Sequence, residues 1–200
     1  MEKGTYQLLE NYMILCMDES DSVHDRQHIY RVLYYALDIA QSEEKVDYDV
    51  LVCACLLHDI GRKFGVRHLG HVSDGYSYMM SLGYDEAAKV CLTHSFHDQT
   101  TDGYIGKFDT TQEELQIIRD ALQTLAVDEY DRLIQLCDAL AGAESVLDIE
   151  ERMNDVKLRY GHYPQEKWEG NIKLKQHFEE KTGRDIYAVV GKDAVQVKEG

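Results

Sequence analysis

With 200 residues, 44% of them hydrophobic, the chain is long enough to bury one well-packed core, so a single domain over residues 1–200 is the expected organisation. A formal net charge of −16 repels DNA and RNA at long range, which excludes a nucleic acid polymer as partner and leaves a small, locally captured anion as the ligand the chain can take. The longest purely apolar run, residues 50–57, is far short of a membrane span, and Glu10 and Asn11 interrupt the N-terminal apolar stretch; a soluble, cytoplasmic protein with no signal peptide and no membrane partner is expected.

A single proline and the scarcity of β-branched runs predict an all-α chain of helices joined by short loops. Residues 5–18 carry Leu8, Leu9, Tyr12, Met13 and Cys16 at helical spacing, a first helix expected to act as a packing lid. Over residues 25–41, positions His28, Val32, Tyr35, Ala36 and Ile39 fall on one face, which puts His28 on the buried stripe. Residues 48–59 are short and apolar enough for a buried strand, but their Ala, Cys and Leu content favours a helix with Leu51, Cys55 and His58 on one face. Cysteines 16, 53, 55, 91 and 137 show no C-x-x-C spacing and are expected to be reduced packing residues.

Residues 60–71 contain Arg62, Lys63 and Arg67 with no acid, a local cationic loop against an acidic background. Helices follow over residues 71–82, closed by Gly83, and from an Asp85 N-cap to about Phe96, the second carrying His94. Residues 98–110 are polar and glycine-bearing, a candidate mobile loop over the site. Thr111 and Glu114 form a capping-box pattern for a helix to about Leu125. From Asp128 the next helix has a stripe of Leu133, Ile134, Cys137, Leu140 and Ala141, with Asp138 inside it. Two longer amphipathic helices, residues 145–160 and 165–181, end at Thr182-Gly183 and read as scaffold.

His-Asp occurs at residues 24–25, 58–59 and 97–98, so the dipeptide alone carries little. Only His58-Asp59 follows a buried run and precedes a break in the chain. His28 and Asp138 lie on the apolar stripes of their own helices, and burying such groups without compensating charge is costly. Singly, a buried His is most often a hydrogen-bonded structural residue, and Asp138 could be a carboxylate satisfied by backbone or Tyr hydroxyls. Jointly, two imidazoles and two carboxylates make a nitrogen and oxygen donor set that balances one divalent cation, among manganese, iron, cobalt, nickel, zinc and magnesium. The tyrosines at helical spacing, Tyr30, Tyr34 and Tyr35 among them, are expected to pack rather than to stack on a base.

The order H…HD…D, here His28, His58-Asp59 and Asp138, resembles the HD-domain superfamily of metal-dependent phosphohydrolases. HDRQHIYRV (residues 24–32) is similar to the family's first-histidine helix and selects His28 over His24; LLHDIGRK (56–63) resembles its second motif and LCDALAG (136–142) its aspartate motif. HVSDG (71–75) and CLTHSF (91–96) resemble two further histidine segments, so the likeness covers about residues 20–145 and leaves a helical extension over about 146–200.

The resemblance implies an all-α bundle with the metal site between helices, and one metal held by His28, His58, Asp59 and Asp138. It also implies hydrolysis of a phosphate ester or anhydride in a small phosphorylated metabolite, a nucleotide first among them, by a metal-activated water. Asp59 would help orient that water, while Arg62 and Lys63 would stabilise charge on the phosphoryl oxygens. His71 and His94 admit two roles: hydrogen bonding to phosphate or general acid catalysis, or a second metal bridged by Asp59. The second role leads to the alternative of a diiron oxygenase. A scaffold or nucleotide-binding module without turnover is the non-enzymatic alternative, and homo-oligomerisation is left open.

Overall fold

The computed structural model describes residues 7, 9–14, 23–42, 45–97, 99–142 and 144–191. Among these the regular elements are helical: α1 (Val23–Ala40), α2 (Tyr48–Leu57), a 3-10 turn (Ile60–Phe64), α3 (Gly70–Ser81), α4 (Asp85–Thr93), α5 (Gln112–Thr124), α6 (Glu129–Leu140), α7 (Ile149–Tyr160), α8 (Gln165–Thr182) and α9 (Ile186–Val189). The expected all-α class holds, and the one β-type contact among the described residues is an isolated bridge between Ala141 and Val146. No described helix is long and apolar enough to cross a membrane.

Local chemistry explains most boundaries. The Asp47 carboxylate accepts from the backbone N–H of Asp49 and Val50 and starts α2, and Thr111 and Glu114 close the expected capping box on α5. Asp128 and Asp131 form a second such box at the start of α6. One expected cap is corrected: Tyr84 occupies the N-cap of α4, and Asp85 lies in the first turn, where its charge faces the positive end of the helix. The expected helix over residues 48–59 stops at Leu57, with His58 as its C-cap and Asp59 leading into the 3-10 turn. Of the expected N-terminal helix, residues 7 and 9–14 are helical, Met13 is buried, and the remainder lies outside the described residues.

The main core gathers Ile29, Val32, Ala36 and Ile39 from α1, Leu51, Cys55 and Leu56 from α2, and Leu133, Ile134, Cys137 and Leu140 from α6. A smaller cluster joins Leu69, Val72, Leu92, Phe96, Leu115 and Ile118 beneath α5. Cys55, Cys91 and Cys137 are free thiols inside the core, and burial pushes all three up from the ordinary thiol range. Cys16 lies outside the described residues.

Residues 99–110 have no regular structure but are tied down rather than free to swing as a cover. Asp109 accepts from the backbone N–H of His68 at 2.6 Å and of Gly70 at 2.8 Å. Arg67 bridges Asp74 at 2.7 Å and Glu114 at 2.9 Å and donates to the Asp109 carbonyl at 3.0 Å. Arg67 is thereby neutralised locally and holds three segments together, which removes it from the expected cationic loop.

A second charged cluster joins α4 to α6, the two helices that carry His94 and Asp138. Lys89 is almost fully buried and contacts Asp128 at 2.6 Å and Asp131 at 3.0 Å, while Thr93 donates to Asp131 at 2.7 Å. Asp131 is fully buried, so deleting its carboxylate removes one of the two close partners of the buried Lys89 ammonium and the acceptor of both the Thr93 hydroxyl and the Asp128 N–H. Asp131→Ala is expected to cost about 3–5 kcal/mol in urea unfolding. Arg132→Ala, which breaks a half-exposed pair with Glu129 on the next position, is expected to cost no more than about 1 kcal/mol.

Candidate metal centre

Five elements deliver six metal-capable side chains to one pocket. His28 comes from the apolar stripe of α1, His58 and Asp59 from the end of α2, His71 from the first turn of α3, His94 from the end of α4 and Asp138 from α6. The rings of His28 and His58 are 5.7 Å apart, those of His58 and His94 5.3 Å, and those of His71 and His94 5.5 Å, a continuous row of imidazoles. The side chains of His28 and Asp138 are 20% and 27% exposed against 3% for Asp59, so the pocket opens on the α1 and α6 side.

Backbone carbonyls set the orientation of three rings. His58 Nδ1 donates to the Cys55 carbonyl at 2.7 Å, His94 Nδ1 to the Val90 carbonyl at 3.2 Å, and His71 Nδ1 to the His68 carbonyl. A neutral imidazole has one N–H, so committing it at Nδ1 leaves Nε2 as a bare acceptor. His71 Nε2 then lies 3.2 Å from Asp59 Oδ1 and 3.4 Å from His94 Nε2, and His94 Nε2 lies 3.6 Å from the same carboxylate oxygen. His58 Nε2 and Asp59 Oδ1 are buried with no hydrogen-bond partner.

Ligand-capable atoms fall into two sets, each drawn within 4.8 Å: His28, His58 and Asp138, and Asp59, His71 and His94. Acceptors converging without donors fit a cation, and the mixture of imidazole nitrogen and carboxylate oxygen suits a divalent metal. The grouping differs from the single quartet the sequence implies, because Asp59 turns its Oδ1 toward His71 and His94 while its Oδ2 accepts from Arg62 Nε at 2.5 Å.

The electrostatics keep the carboxylates ionised and the His58 and His94 rings neutral. Burial raises the Asp59 carboxyl, but the positive charge of Arg62 leads the opposing effects and the group is held well below the ordinary range. Burial also raises Asp138, and His28 and Arg152 carry it far lower. Burial lowers His58, and it lowers His94 to about 4, so both are neutral near pH 7. His28 behaves oppositely: burial disfavours its imidazolium, yet the hydrogen bond to Asp138 Oδ1 at 2.9 Å and that carboxylate's charge raise its pKa above 6.5.

Arg62 is thus beside the site, half-buried and paired to Asp59. Lys63 is seated elsewhere, its ammonium 4.2 Å from the Tyr78 ring centre and 5.1 Å from that of Phe64. Tyr78 is seven positions after His71 on α3, about 10 Å along the helix axis. His68 contributes its carbonyl rather than its ring, His162 is exposed, and His177 pairs with Glu129. The side chain of His24 lies outside the described residues.

Two contributors carry no sequence signal. Arg152 of α7 donates to the carbonyls of Asp138, Ala139 and Ala141 at 3.0, 3.2 and 3.2 Å and fixes the end of α6. Ser95 Oγ lies 3.0 Å from His94 Nε2. Gly61 was legible only as a loop breaker, yet a Cβ there would sit 1.9 Å from the His71 carbonyl oxygen and 2.6 Å from Gly75 N. The 3-10 turn bearing Arg62 therefore packs directly on the helix bearing His71.

The described residues form an all-helical fold that gathers histidines and carboxylates from separate helices into a cluster able to hold a metal ion. The family model described as HD domain matches residues 26–143, more than half of the chain, and the chain belongs to the HD domain family, whose members are mostly metal-dependent phosphohydrolases. No curated protein and no solved structure matches it.

Two outcomes are expected at this site. Gly61→Ala must push the 3-10 turn off α3, costing about 1–3 kcal/mol in urea unfolding and weakening manganese binding in a calorimetric titration. In chelator-treated protein, the raised His28 pKa means the folded chain binds more protons than the unfolded chain just above pH 6.5. The His28 contribution is therefore fully present below 6.5 and is lost as pH rises through the raised folded value. The depressed Asp138 group works the other way: its contribution is present above the unfolded value of 3.8 and disappears only in strong acid. His28→Gln should abolish the fall in urea midpoint above pH 6.5 that is expected of the parent chain.

Proposed function

We propose that this chain is a metal-dependent phosphohydrolase of a small phosphorylated metabolite, a nucleotide foremost, cleaving a phosphomonoester or pyrophosphate bond. The observation that carries this reading is that His58 Nε2 and Asp59 Oδ1 are buried without a hydrogen-bond partner and converge with His71 Nε2 and His94 Nε2, beside the Arg62 guanidinium. His28, His58 and Asp138 would hold one divalent cation, and Asp59, His71 and His94 would offer a second position. A cation bound there supplies positive charge to a phosphoryl oxygen and acidifies a water.

The chain's own residues have separable roles. Arg62, part-exposed at the same carboxylate, is placed to donate to a phosphoryl oxygen, whereas Lys63 is engaged with Tyr78 and Phe64 and drops out of that role. Asp59 stays ionised and orients water through Oδ1. His94 is a poor general acid, because burial lowers its pKa to about 4 and its N–H faces the Val90 carbonyl. A ligand role therefore suits His94 better than proton donation, and the same holds for the orientation of His71, whose N–H faces His68.

The second donor set also supports a runner-up, a diiron oxygenase, which requires about two irons per chain and oxygen uptake with substrate. Elemental analysis of freshly purified protein, then a nucleotide and sugar-phosphate screen with manganese, cobalt, nickel and magnesium, separates the two. Release of phosphate or pyrophosphate is expected. His58→Ala should lose at least about a hundredfold in kcat/KM, and Arg62→Ala about tenfold to a hundredfold with metal content retained. Oxygen consumption in place of phosphate release would replace the hydrolase with the oxygenase.

A further inference from the structure

Beyond the metal centre, a cleft of about 480 Å³ lies between α8, the start of α6 and the segment after α4, with Arg132, Lys173, His97, His177 and Gln99 among its walls. A smaller lobe of about 170 Å³ shares His97 and Gly170 with it and reaches Ser95, Gly103 and Lys167. Ser95 is the residue whose hydroxyl meets His94 Nε2 at 3.0 Å, on the atom that faces Asp59. The two lobes share His97 and Gly170, and Ser95, the neighbour of His94, lines the smaller one, which puts the cleft on the side of the bundle next to the Asp59, His71 and His94 set.

Its charge runs against that of the chain. Among the described residues lining the larger lobe none is a carboxylate, in a protein of net charge −16. Glu129, three residues before Arg132 on α6, is shared by Arg132 at 3.0 Å, His177 at 2.9 Å and Lys181 at 2.8 Å. Arg132, Lys173 and Lys181 against Glu129 leave two positive charges; in the smaller lobe Lys167 and Glu166 cancel. A concave surface with this balance concentrates anions, and its volume is in the range of small-ligand sites, about 300–1,000 Å³.

We propose that this cleft receives a second anionic group of the substrate, a phosphate or carboxylate remote from the scissile bond, with Arg132 and Lys173 as specificity-determining residues. The proposal rests on the phosphohydrolase reading for what happens at the metal centre, but the cleft can be read by binding alone. It makes the preferred ligand a metabolite with two separated anions rather than a simple phosphomonoester.

The test compares fructose 1,6-bisphosphate with fructose 6-phosphate, which differ by one phosphate, in calorimetric titrations of the metal-loaded full chain. The bisphosphate should bind at least about tenfold tighter with one molecule per chain, as one charge-assisted contact set predicts. Lys173→Glu and Arg132→Glu should each collapse that ratio toward one, and His58→Ala should weaken both ligands. Equal affinities, or a ratio untouched by the Glu substitutions, overturn the proposal. So does a bisphosphate affinity that His58→Ala leaves intact, since the cleft would then be a separate anion site. Hydrolysis of phosphate esters with a ratio of one would sink the cleft alone, whereas an intact ratio without hydrolysis of any ester would sink the phosphohydrolase reading alone.

Discussion

Asp59 is a carboxylate with a side chain 3% exposed, and keeping it ionised there is the constraint around which the pocket is arranged. A buried carboxylate without compensation takes up a proton, and a protonated Asp59 would give the pocket a donor where it needs an acceptor. Arg62 supplies one fixed positive charge at Oδ2 from three residues along the 3-10 turn. On the other side Oδ1 faces two imidazoles whose N–H groups point away to backbone carbonyls. The carboxylate is therefore half satisfied by the protein and half left for an exogenous cation.

The scaffold transmits that requirement outward. Arg62 is in place only if the 3-10 turn touches α3, and Gly61 permits the contact because a side chain would overlap the His71 carbonyl. The His71 ring depends on the His68 carbonyl, and His68 is held in turn by Asp109, so an irregular loop governs a ring orientation in the site. The His94 end of α4 is fixed to α6 through Lys89, Thr93 and Asp131, two turns before Asp138 on the same face of that helix. The contact through Asp131 is polar and buried, and the close approach at Gly61 is steric; both are costly to disturb, which favours a pocket preorganised rather than assembled on binding.

Helix periodicity made His28 and Asp138 legible, since each sits where an apolar stripe would otherwise continue, and the Thr111 and Glu114 pattern announced its capping box. Periodicity could not tell Asp59 from His58, because neighbours at a helix end point to different sides and the division into two donor sets depends on which helix lies opposite. The same limit separates Arg62 from Lys63: successive residues in a 3-10 turn point about 120° apart, so one reaches the carboxylate and the other the aromatic pair. Polar composition made residues 98–110 look mobile, while their anchoring rests on Asp109 finding two backbone N–H groups some forty residues earlier. Arg152 was illegible for the related reason that its partners are backbone carbonyls, which have no sequence signature.

The strong acidity of the chain acts as a filter on what can reach this pocket. At long range a net charge of −16 disfavours polyanions, and screening limits that repulsion to about a nanometre at physiological salt, so a small anion close to the surface feels local rather than global charge. Locally the sign reverses along the cleft bearing Arg132 and Lys173, while at the metal centre Arg62 offsets one of the two carboxylates. Electrostatically steered association is unnecessary for such a design; what it requires is that the ligand be short enough to lie across the metal centre and the cleft at once. A long polyanion would extend beyond them onto the acidic surface, whereas a compact metabolite with two charged ends would not. Discrimination by length then follows from where the few cations sit, without any contact that reads the identity of the ligand's middle.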